Sequence, residues 1–63
     1  MILIPVSSRV IAAIGYEAGV LALLFHNGGL YYYRGVPVRL YLSFIVAGSK
    51  GRFYNARVRG HYR

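Results

Sequence analysis

The apolar positions change period partway along the chain. Val10 to Tyr16 is a run of β-branched and small residues, Val20 to Phe25 is an apolar run too short for a helix, and Leu30-Tyr31-Tyr32-Tyr33-Arg34 is aromatic. Runs of this length and composition, bounded by turn residues, predict strands. Glu17-Ala18-Gly19 and His26-Asn27-Gly28-Gly29 separate them, and each supplies glycine for a positive φ. Short turns between successive strands predict an antiparallel meander. The leading Met1-Ile2-Leu3-Ile4-Pro5 reads as a short strand or a loose arm.

Gly35-Val36-Pro37 ends the strand pattern, and Pro37 suits the first helical turn, where its missing N–H would have been unpaired anyway. From Val38 onward Leu40, Tyr41, Phe44, Ile45 and Gly48 recur at spacings of three and four, with Arg39, Ser43 and Ala47 on the other side. Gly48 is expected to close this helix. Ser49 is placed to cap a second, shorter helix across Lys50 to Arg59, along which Tyr54, Val58 and Tyr62 align. The expectation is an α+β fold: a three-stranded antiparallel meander packed by one main helix and a short C-terminal helix. Leu42 and Val46 fall on the helix side that should face water. Either the helix is sunk deep against the sheet, or these two residues form a homodimer seam or a partner-docking surface.

With 63 residues the chain is one domain, spanning 1–63, and its core is small. It contains no cysteine, which excludes disulfides, thiolate metal sites and a cysteine nucleophile. Two histidines do not make a structural zinc site by themselves, so neither metal nor cofactor is expected. Glu17 is the only acid, which excludes paired-carboxylate catalysis. A Ser-His-acid arrangement would have to draw on Ser7, Ser8, Ser43 or Ser49, on His26 or His61, and on that same Glu17. The expectation is a protein that is not an enzyme. The apolar runs fall far short of the roughly 20 residues a spanning helix needs, and the first residues lack the basic start of a secretory signal. Without cysteines, the cytoplasm is the default compartment.

The net charge of +7 is uneven: Arg9 and Glu17 cancel in residues 1–33, whereas Arg34, Arg39, Lys50, Arg52, Arg57, Arg59 and Arg63 follow with no acid among them. Such asymmetry points to a polyanionic partner. Gly48-Ser49-Lys50-Gly51 has P-loop residue types without P-loop spacing; it offers either one phosphate position beside Lys50 and Arg52 or a plain helix cap. Tyr31 and Tyr33 point to one sheet face and Tyr32 to the other. The first two are expected to pack against Tyr41 and Phe44, leaving Tyr32 free to stack on a base.

Ile14-Gly15-Tyr16, the alternating Leu21, Leu23 and Phe25, Gly29-Leu30-Tyr31-Tyr32-Tyr33, Val36-Pro37, Tyr41, and above all Ser49-Lys50-Gly51-Arg52-Phe53-Tyr54-Asn55 with Val58 and Tyr62 resemble the KTSC domain. That family is named after a C-terminal extension of some lysyl-tRNA synthetases and also occurs as small free-standing bacterial and phage proteins. The resemblance spans about Val6 to Tyr62 and implies RNA as a partner through the family's association with a tRNA synthetase. Leu42 stands where a polar or acidic residue is common in the family.

Together these readings predict a nucleic-acid-binding domain, with RNA favoured over DNA. Lys50, Arg52, Arg57 and Arg59 are expected to contact phosphates, with Arg34 and Arg39 at the margin and Tyr32 and Tyr54 as stacking residues. The alternative is a protein-interaction module, such as a phage-encoded inhibitor or accessory subunit, that docks on an acidic host surface through its cations and Leu42 and Val46.

Overall fold

The computed structural model describes residues 1–62; Arg63, counted above among the cations, lies outside them. Four strands, β1 (Ile4–Pro5), β2 (Ile11–Glu17), β3 (Val20–Phe25) and β4 (Leu30–Tyr33), form one antiparallel sheet in sequence order. The meander of β2, β3 and β4 is the expected one, but the sheet has a fourth strand. Ile4 pairs with Ile14 and Pro5 with Ala13, so the leading segment satisfies the outer edge of β2. Proline is tolerated there because an edge strand leaves one side of its backbone unpaired.

The β2–β3 turn brings Glu17 opposite Val20, and both turn residues have positive φ, 50° at Ala18 and 80° at Gly19. That is the geometry whose twist matches a two-residue hairpin. A register shift between Ile11 and Ala13 leaves Ala12 as an extra residue, so Ile11 pairs with Phe25, Ala13 with Leu24 and Ile14 with Leu23. Strict alternation would put Ile11 and Ile14 on opposite faces. The bulge brings both to the helix-covered face, where each is fully buried with Leu21, Leu23, Phe44 and Val58.

Helix α1 (Val38–Val46) starts where the helical pattern begins, with Pro37 as an extended cap at ψ 146° rather than inside the first turn. It ends before Gly48, because Ala47 turns extended and its carbonyl accepts from Lys50 Nζ at 2.6 Å. Val36, on the connection into α1, is a core residue. Its N–H donates to the Gly19 carbonyl at 2.9 Å and its own carbonyl accepts from Tyr16 Oη at 2.5 Å. Tyr16 also stacks on Tyr41, with ring centroids 4.9 Å apart. Only Leu40 and Phe44 of α1 are buried, and Leu42 and Val46 are 56% and 81% exposed. The reading of a helix sunk deep against the sheet is therefore corrected.

Ser49 caps α2 (Lys50–Phe53), its Oγ accepting from the Arg52 N–H at 3.3 Å. The expected continuous helix to Arg59 is replaced. From Tyr54 to Val58 the chain follows a wider π-type turn, closed by the Arg59 N–H on the Tyr54 carbonyl at 2.8 Å. This widening lets Phe53, Tyr54 and Val58 all reach the core, Phe53 stacking on Phe44 at 4.8 Å.

The sheet's far side is covered by the chain's own start. A methyl placed on Gly15 would lie 2.8 Å from both the Ile2 carbonyl oxygen and Leu3 Cδ2, so the arm crosses the sheet at that residue. The Met1 ammonium, 3.4 Å from Glu17 Oε1, anchors it. No helix among the described residues is long and apolar enough to cross a membrane.

Candidate nucleic-acid interface

An open concavity lies where two distant segments meet. Ser7 to Val10, entering β2, form one wall; Gly48 to Arg52, with Asn55, form the other. Their approach is close because Gly51 has no side chain: a Cβ there would sit 3.3 Å from Val10 Cγ2. The first wall is held by hydrogen bonds. Ser8 Oγ accepts from the N–H groups of Val10 and Ile11, each at 3.2 Å, while the Ser8 carbonyl accepts from His26 Nε2 at 2.7 Å. A carbonyl only accepts, so Nε2 carries the proton. The His26 N–H adds a bond to the Val10 carbonyl at 3.0 Å. His26 thus clamps the β3–β4 turn to the groove wall.

The groove is open, about 700 Å³ in volume, and no acid lines it. Arg9 and Arg52 are exposed along it, and Lys50 is half-buried with one of its three N–H groups spent on Ala47. Arg59 stands at the rim, where its Nη1 donates to Asn55 Oδ1 at 3.5 Å. Among the described residues the single acidic side chain, Glu17, is engaged by the Met1 ammonium, which leaves the described arginines and Lys50 without a carboxylate partner among those residues.

The cations expected to act together are divided. An α-helix from Lys50 to Arg59 would put Arg52 and Arg59 in line, but the π-type turn uses more residues per revolution and shifts everything beyond it. Arg57 consequently lies over the Phe53 ring, 5.6 Å from its centroid, and borders a second pocket with Arg39. Arg34 is exposed beyond β4 and borders neither concavity.

The tyrosines are also redistributed. Tyr32 pairs with Ala22, which pairs with Gly15, so it points to the far face and is 54% exposed, away from the cationic groove. Tyr54, named as a stacking residue, is half-buried and already meets Phe25 edge-on at 5.3 Å and Tyr33 at 6.2 Å. Its ring faces are built into the core rather than offered to a base. Tyr31 packs on Phe25 and Tyr33 on Tyr54, not on Tyr41 and Phe44. Burial, followed by the hydroxyl of Tyr54, raises the pKa of Tyr33 well above its ordinary value.

Arg9 is not among the binding residues the sequence points to, and Ser7 and Ser8 enter that reading only as candidate nucleophiles, yet all three line the groove. Arg9 was hidden because it cancels Glu17 when charge is summed over half the chain, although the two side chains serve different ends of β2.

The KTSC domain family model matches residues 7–62. A protein of Tsukamurella paurometabola is 39% identical, the match covering 94% of this chain and 91% of that one. The crystal structure of a KTSC domain protein from Yersinia pestis superposes with a TM-score of 0.93 at 40% identity, covering 97% of this chain and 89% of that one.

Proposed function

The chain belongs to the KTSC domain family, and we propose that it is a non-enzymatic domain that binds nucleic acid, RNA in preference to DNA, in the groove between Ser7–Val10 and Gly48–Asn55. The observation that carries this reading is an open, acid-free groove bordered by Arg9, Lys50 and Arg52, with Arg59 at its rim. Guanidinium groups without carboxylate partners are available for bidentate contacts to phosphate oxygens. An open groove admits a polymer threading through it, while the lone acid, tied up at the far end of β2, leaves no general acid–base pair at the groove. A cysteine-free composition agrees with the cytoplasm as its compartment.

The test is fluorescence polarisation with single-stranded and structured RNA across a salt series. Each phosphate neutralised on a single strand contributes about −0.7 to the log–log slope. Arg52→Gln and Arg9→Gln are each expected to flatten the slope by about that amount. Binding unchanged in both variants, or no tighter than that of a generic basic peptide, would sink the proposal.

A second reading, a protein-interaction module or a homodimer, is favoured by one observation. Val38, Leu42 and Val46, spaced four apart along α1, are all more than half exposed. Capture from a lysate that survives nuclease treatment and is lost in Leu42→Gln would favour this reading; capture that disappears with nucleic acid favours the first.

A further inference from the structure

The second pocket is smaller than the groove. It lies between the start of α1 and the segment that carries Arg57 and Tyr62, bordered by Pro37, Arg39, Leu40, Ser43, Arg57 and Tyr62. We infer that it is a binding site for a phosphomonoester-type oxyanion, held between the guanidinium groups of Arg39 and Arg57.

Size is the first argument. The pocket encloses about 180 Å³, room for a tetrahedral oxyanion and a short attachment but not for a base with its sugar. Charge is the second. No acid borders the pocket, so two cations face one small volume with nothing among the described residues to offset them. Like charges brought together in this way raise the local potential and are relieved by an anion placed between them. Arg39 carries a further cost. It sits in the first turn of α1, where the helix dipole disfavours a cation, and that turn holds no acidic residue. A side chain placed against local preference, on the wall of a pocket, is the pattern expected of a binding residue.

Preorganisation is the third argument. Arg57 rests over the Phe53 ring, itself stacked on Phe44 in the core. This contact restrains the guanidinium before any ligand arrives. Buried Leu40 and the ring of Pro37 supply an apolar side, while Ser43 and Tyr62 bring hydroxyls that can donate to oxyanion oxygens. Two forked guanidinium groups with hydroxyl support suit a dianionic phosphate better than a carboxylate, which has only two oxygens to share.

The site shares no residue with the groove proposed for nucleic acid, and it stands or falls separately. The experiment is an amide chemical-shift titration of the whole protein with inorganic phosphate at low ionic strength, repeated with Arg39→Gln and Arg57→Gln. Both residues are exposed, and matched melting curves establish that the variants fold. Saturable shifts centred on Leu40, Ser43 and Tyr62, weakened roughly tenfold or more in each variant, are the expected result. Shifts that never saturate, that spread equally over Arg9, Lys50 and Arg52, or that persist in both variants overturn it. A second arm identifies the source of the phosphate, using one oligoribonucleotide with a 5′-phosphate or a 5′-hydroxyl. Tighter binding of the phosphorylated form, abolished in Arg57→Gln, assigns the pocket to a strand end; equal binding beside saturable phosphate assigns it to a small free phosphate.

Discussion

The hydroxyls of Tyr33 and Tyr54 lie 3.0 Å apart and their rings meet edge to face at 6.2 Å, tying the edge strand β4 to the wide turn after α2. Neither ring is fully buried, yet the pair closes the side of the core where sheet and C-terminal segment would otherwise separate. Because burial and the Tyr54 hydroxyl both raise the pKa of Tyr33, the folded protein keeps a proton that the unfolded chain releases near pH 10. Stability from this group is complete below about pH 10 and falls above it, since the unfolded state then binds fewer protons. Tyr33→Phe is expected to cost roughly 1 kcal/mol at neutral pH and to flatten the alkaline decline. Denaturant titrations at about pH 8 and pH 11 decide the matter; an equal decline in both proteins would remove Tyr33 as its source.

Ala18 occupies a left-handed conformation at φ 50° in the β2–β3 turn. An alanine side chain is strained there, by about 1 kcal/mol relative to asparagine or glycine. Ala18→Asn should therefore stabilise the protein by about that amount and raise its melting temperature by roughly 4–8 °C. A melting temperature that stays the same or falls would show that the turn is not strained at this residue.

Gly15 marks the crossing of the N-terminal arm. Its added methyl in Gly15→Ala would meet backbone at the Ile2 carbonyl, which has no rotamer by which to retreat. The expected outcome is a loss of about 1–3 kcal/mol, together with faster amide exchange in residues 2–4. If the arm stays protected and stability holds, the arm does not lie across Gly15.

His26 links the hairpin after β3 to the groove wall through its bond to the Ser8 carbonyl. His26→Ala removes that bond but leaves the backbone contact to Val10. About 1 kcal/mol of stability should be lost, with accelerated exchange at the Val10 and Ile11 amides before any change in α1. Uniform acceleration throughout the protein would instead mean that His26 contributes only to global stability.

The candidate site was legible only in pieces. Ser49 as a cap and Lys50 and Arg52 as neighbouring cations follow from a short stretch of sequence, because capping needs only the right side chain three residues ahead of a free N–H. Arg9 does not follow, since it enters the groove through a contact with a segment about forty residues away. Nor does the separation of Arg57 from Arg52, because a π-type turn has no residue signature comparable to a proline or a capping serine.

By itself the sequence determined the order of the three long strands and α1 and the positions of the turns. Each depends on periodicity or turn chemistry acting within a few residues. Tertiary structure decided the rest. The bulge at Ala12 exists because burying both Ile11 and Ile14 against Phe44 and Val58 outweighs two regular ladder pairings. The fourth strand exists because β2 had an open edge and the arm had unpaired backbone. The C-terminal helix widened because Phe53, Tyr54 and Val58 all had an apolar surface to cover, and that adjustment set which arginines face the groove and which face the second pocket.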